Sequence, residues 1–144
     1  MKHLIILLLV STFACTQAPE EQHDSNQTNE PVVEQTGVFF ENIADGDSLN
    51  SPFLLKMGIN GMEVEPKGEP REGYGHHHLL INDTYFDEGV FIAADSTHIH
   101  FGGGQVEDSV YLIPGEYVLT LQFGDGMHMS YGEAWSNSIS VVVR

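Results

Sequence analysis

The chain has 144 residues, 41% of them hydrophobic, and 21 acidic residues against five Lys and Arg, a formal charge of −16 with neutral histidines. Such a chain is repelled by nucleic-acid phosphates and anionic headgroups, so no nucleic acid is expected as a partner and cations are the natural counter-ligands. One cysteine leaves no intramolecular disulfide, so the fold must be held by its core.

The N-terminus is read as an address. Met1-Lys2-His3 is a short basic start, and residues 4–13 are an apolar stretch of signal-peptide length, too short to span a bilayer comfortably. Thr12-Phe13-Ala14-Cys15 reads as a bacterial lipoprotein cleavage site, with Cys15 as the lipidated residue. Thr12 departs from the usual Leu or Val of such sites, which leaves an ordinary secretory signal, or a buried strand with a free thiol, as the alternatives. Residues 15–36 mix Pro, Gln, Asn and acids with almost nothing to bury, so they are expected to form a disordered tether. As a coil it would span roughly 25 Å. The expected location is the bacterial cell envelope, on the periplasmic side or the cell surface, with the membrane as a partner through the lipid.

Residues 37–144 have the length of one domain. Acids outnumber Lys and Arg there 16 to 4, a charge of −12. The hydrophobic period is mostly two. Residues 38–43 predict a strand and 44–48 a turn; residues 52–59 predict a second strand, closed by Asn60-Gly61. Residues 63–73, rich in Glu, Pro and Gly, predict a loop. Residues 74–82 predict a central strand, buried on both faces near Leu79-Leu80-Ile81. Strands are also expected at 109–113, at 116–123 with clean alternation, and at 138–143. No stretch carries a capped apolar stripe of helical period. About seven short strands separated by turns predict an all-β, immunoglobulin-like antiparallel sandwich, without the Cys–Trp–Cys hallmark of antibody domains.

Three histidine clusters lie on that scaffold: His76-His77-His78, His98-Ile99-His100 and Met127-His128-Met129. In a strand, His76 and His78 face one side and His77 the other. His98 and His100 repeat the spacing, with Ile99 free to enter the core. Gly102-Gly103-Gly104-Gln105 follows, where glycine permits sharp backbone excursions. It is a weak match to a phosphate cradle, since no helix follows. Met127-His128-Met129 sits in a loop at the end of a strand, where thioether sulfur would favour copper. Without the methionines, zinc on three or four imidazoles fits equally well. Any one of these histidines taken singly is better read as a buried group satisfied by backbone or carboxylate. Two HxH elements together in a small acidic domain favour a metal ion.

Lesser features are weighed beside these. Asp45-Gly46-Asp47 is read as a plain turn rather than a calcium loop. Trp135 and the tyrosines at 74, 85, 111, 117 and 131 are as readily core and sheet-surface residues as a stacking face. Glu107-Asp108 offers a carboxylate ligand or a partner that fixes an imidazole tautomer.

Gly75-His76-His77-His78-Leu79-Leu80-Ile81, His100-Phe101-Gly102-Gly103-Gly104-Gln105 and Leu112-Ile113-Pro114-Gly115-Glu116-Tyr117 resemble the motifs of the bacterial family called domain of unknown function 4399. The resemblance covers about residues 37–144 and implies a small exported β domain. It marks His76, His77, His78, His98, His100 and the 102–105 loop as signature positions. It implies no activity. The chain departs from the family pattern in the 125–131 loop, which is His-rich in the family and reads Met127-His128-Met129-Ser130-Tyr131 here.

The expected function is therefore an exported, membrane-tethered lipoprotein with a His/Met metal site, for copper buffering or delivery. The alternative is an interaction module whose histidines fix loops and whose protein partner is unknown. A metallohydrolase using Glu107 as general base is the weakest reading, because no HExxH-type element is present and there is little room for a substrate domain. No catalytic residue is expected.

Overall fold

A computed structural model describes residues 36–144. The expected signal peptide, Cys15 and all but the last residue of the expected tether lie outside the described residues. Nine strands form two sheets. In the smaller, β1 (Gly37–Phe40) and β7 (Glu107–Val110) flank β3 (Phe53–Asn60), both antiparallel to it. In the larger, the order runs β2 (Ser48–Leu49), β9 (Ser136–Val143), β8 (Gly115–Gly124), β5 (Tyr74–Ile81). The far edge of β5 is shared by β4 (Glu63–Val64) at its start and β6 (His98–His100) at its end.

The all-β expectation stands, and two packed sheets are consistent with an immunoglobulin-like sandwich. Period two explains the core. Phe53, Leu55 and Met57 of β3 meet Leu79 and Ile81 of β5, Leu119, Leu121 and Phe123 of β8, and Ile139, Val141 and Val143 of β9. Ile99 packs against this core, as its place between two histidines suggested. Each large apolar side chain so buried contributes about 1.5–3 kcal/mol.

Several expectations are corrected. The sheets are not purely antiparallel: β2 runs parallel to β9 and β4 parallel to β5. The 63–73 loop opens with a strand, because Glu63 and Val64 pair with Tyr74 and Gly75. The first strand stops at Phe40 rather than residue 43. The strand expected at 109–113 ends at Val110, and Tyr111 and Ile113 are 72% and 66% exposed. Their apolar character mimicked a strand that the sheet does not use.

The alternation of β8 also fails after its first half, since every residue from Leu119 to Gly124 is buried. The cause is a third layer of irregular chain over the outer face of the large sheet. Gln122 accepts the Phe86 amide at 3.0 Å and donates to the carbonyls of Gly132 and Trp135 at 3.1 and 3.2 Å. Thr120 donates to Asp83 O and Ser130 to Phe86 O, each at 2.8 Å. Buried polar side chains here bind loop backbone, satisfying both parties. Strand β5, covered on both faces, matches its expectation, and this covered outer face holds the histidines. Among the described residues, no helix is long and apolar enough to cross a membrane.

Candidate metal centre

Register brings the histidines together. His78 on β5 lies opposite His100 on β6, and His76 lies opposite Gly124 at the end of β8. Even-numbered residues of β5 face outward, so His76 and His78 stand side by side beneath the loop layer. Two glycines make room for their rings and for that of His100. A Cβ on Gly124 would come within 3.1 Å of His78 Cε1, and one on Gly102 would collide with the His100 ring.

His128 arrives by a turn. After β8 ends, the Asp125 carboxylate accepts the amides of Met127 and Met129 at 2.8 and 2.9 Å, and the Asp125 carbonyl accepts the His128 amide at 2.9 Å. An aspartate folding the chain back on its own carboxylate is common turn chemistry. It leaves His128 at φ 69°, an uncommon left-handed conformation for a side chain of this size.

The result is a cluster of four imidazoles. The rings of His76, His78, His100 and His128 lie 4.2 to 5.8 Å apart, centroid to centroid. Ligating nitrogens of His76, His100 and His128 all lie within 4.8 Å of one another. Nε2 of His76 is 3.1 Å from Nε2 of His100. Both nitrogens of His78, and Nδ1 of His76, are buried with no hydrogen-bond partner. An orphan of this kind costs about 1–3 kcal/mol, so such groups call for an explanation.

Protons are poorly tolerated here. Burial first, then the neighbouring imidazoles of His100 and His128, push His76 down from 6.5 to about 4. Burial, then His76, His100 and His128, push His78 to about 2. His100 is lowered too, by burial and then by His128 and Lys67. His76 and His78 are thus neutral at physiological pH, and His100 is pushed the same way, toward the state in which imidazole donates to a metal.

The other sequence candidates separate from it. His77 points to the opposite face, into the core beside Phe123 with ring centroids 5.2 Å apart, and neither of its nitrogens has a partner. Burial lowers it to about 4, with His76 adding to the shift. His98 pairs with Leu80, one step of about 7 Å further along the strand. There its Nδ1 lies 3.0 Å from Asp95 and its Nε2 3.2 Å from Asp83, so carboxylates occupy it. His77 and His98 are not brought to the cluster.

Met127 is 55% exposed, and Met129 is held in a backbone bridge to Phe91. The Gly102-Gly103-Gly104-Gln105 loop closes on itself, the Gly103 amide donating to Gln105 Oε1 at 2.8 Å, and its role here is clearance for His100. Glu107 lies on β7 in the smaller sheet, where it pairs with Lys56 at 3.5 Å. Asp45 and Asp47 accept backbone amides of Ser140 and Ala44, as the plain-turn reading expects.

Three residues at the mouth were not singled out from sequence. Phe91 stacks on His128 with an interplanar angle of 13°. With Lys67, Glu69 and Met127 it lines an open depression beside that ring. Asp125, between two glycines at a strand end, carried a turn signal that fits its observed role. Lys67, one of two bases in an acidic loop, carried a weaker signal, and Phe91 carried none.

Residues 55–144, a span that includes the whole cluster, match the family model described as Domain of unknown function (DUF4399). The resemblance carried by the 75–81, 100–105 and 112–117 motifs is thereby borne out. No curated protein and no solved structure matches.

Proposed function

The chain belongs to the family described as domain of unknown function 4399, and from that premise, which assigns no chemistry, we propose that its β domain binds one copper or zinc ion. His76, His100 and His128 are the ligands, with His78 as a fourth imidazole behind them. The observation that carries the reading is the convergence of three ligating nitrogens within 4.8 Å. Bonds of 2.0–2.1 Å in a tetrahedral site separate nitrogens by roughly 3.3 Å, so small ring rotations suffice. A metal taking His76 through Nδ1 would also give that orphaned nitrogen a partner.

A second reading is favoured by the 3.1 Å contact itself. His76 and His100 then share an N–H···N hydrogen bond, and the cluster staples loops without an ion. Titrating the metal-stripped protein with Cu(I), Cu(II) and Zn²⁺ separates the two. One ion per chain should bind and raise the melting temperature, by about 2.7 kcal/mol of stability at a hundredfold excess over Kd. His100→Ala should abolish uptake. No uptake by the wild-type protein between pH 6 and 8 leaves only the staple.

The proposal includes the address read from residues 1–36, an exported chain held to the cell envelope by lipid on Cys15. Cys15→Ser should move the protein from the membrane fraction to the soluble one. Unchanged fractionation removes the anchor.

A further inference from the structure

We propose that the bound metal carries at its outward coordination position a small monocarboxylate with an apolar body, its charge held by Lys67 and its body lying over Phe91 and Met127. This deepens the metal reading and rests on it.

Three imidazoles around a metal leave a position for an outside ligand, and the burial pattern sets its direction. His76 and His78 are fully buried, whereas His100 and His128 are only partly so, and the depression opens beside His128. The approach is therefore past Phe91 and Met127.

The walls of that approach state what fits. Phe91 and Met127 are each 55% exposed and together give the depression an apolar wall. Lys67 belongs to the same lining, together with His128. Of the domain's four basic side chains, Lys56 is paired with Glu107 and Arg71 with Glu65; Lys67 and the C-terminal Arg144 make no ion pair among the described residues, and of these two only Lys67 lines the depression. A lone ammonium beside a site for a cation opposes loading, unless an anion sits between the two charges. A carboxylate bridging metal and Lys67 supplies that anion through charge-assisted bonds. Glu69 at the rim disfavours a dianion such as phosphate, and the apolar walls favour a ligand with a hydrophobic body.

The test uses the full chain loaded with Co²⁺, whose visible spectrum reports its ligands. Benzoate should change the spectrum saturably, with acetate and inorganic phosphate at least about tenfold weaker. Lys67→Met should weaken benzoate at least about tenfold while leaving Co²⁺ uptake equal or tighter, because a repelling charge has gone. Lys67→Arg should restore part of the loss, which guards against a folding defect. Phe91→Ala should bring benzoate down to the level of acetate. Co²⁺ uptake with no response to benzoate, or a response that Lys67→Met leaves unchanged, overturns this inference and spares the metal reading. Absence of Co²⁺ uptake overturns both.

Discussion

His77 and His78 are neighbours in sequence and both fully buried, yet they sit in unlike surroundings. His78 faces three other imidazoles, and His77 faces the aromatic ring of Phe123 in a hydrophobic core. A neutral imidazole in an apolar core loses its water hydrogen bonds and gains none, so the site prefers a hydrocarbon of similar size. His77→Leu is therefore expected to stabilise the protein by about 1 kcal/mol and to leave metal uptake unchanged. A thermal melt and a metal titration on the same variant check both halves, and a fall in uptake would place His77 in the site after all. The alternation of a strand made this split legible before any coordinates, since His77 had to face away from its neighbours. What the spacing did not reveal was that His98, on the same face as His100, is captured by Asp83 and Asp95 one step beyond the cluster.

At the scale of elements, the site is a product of register. Strand β5 offers His76 and His78, β6 offers His100, and only the pairing of His78 with His100 brings the two HxH motifs together. Pairing was beyond the reach of sequence patterns, because β6 has three residues and no hairpin turn fixes its partner. The short parallel pairs were unreadable for the same reason: two-residue strands carry no period. The long strands β3, β5, β8 and β9 were legible because their inward faces repeat every second residue. The third layer over β8 was hidden, because Thr120 and Gln122, which bind it, keep the polar alternation of an exposed face. The glycine run does its part by clearance, which gives a direct test. Gly102→Ala puts a methyl group into the His100 ring, and the ring has to move. Metal affinity should fall at least about tenfold with little change in fold, as read by titration beside a circular dichroism spectrum. Undiminished affinity would show that His100 is dispensable.

For the whole molecule, the buried imidazoles tie stability to acidity. His76 and His77 are each lowered from 6.5 to about 4 in the folded protein and His78 to about 2, chiefly by burial. The unfolded chain, with ordinary imidazoles near 6.5, takes up protons first as the medium is acidified. The folded state of the metal-stripped protein should therefore be fully stable above about pH 6.5 and lose stability progressively as the pH falls, the shares of His76 and His77 down to about pH 4 and that of His78 down to about pH 2. His77 alone accounts for something on the order of 3 kcal/mol over that window. A melting series from pH 7.5 to 4, repeated on His77→Leu, isolates this share. A flat profile would mean that water or an alternative packing reaches these rings.

The left-handed turn at His128 has one more consequence, and it concerns time. His76 and His100 are fixed by strand pairing, whereas His128 is held by a turn that closes on the Asp125 carboxylate. Of the three, His128 is the ligand that can let go without breaking a sheet. Its backbone is also the most strained of the three, so release relaxes the chain locally. In the proposed metal-bound form, opening of that turn and departure of the ion would be one event. The Met127 and Met129 amides, both held by Asp125, act as its clock. Their hydrogen exchange counts the openings, and the dissociation rate of the ion cannot exceed the rate of opening. On the proposed metal reading, a domain built this way would set how long it keeps an ion through one carboxylate, independently of how tightly three imidazoles grip it.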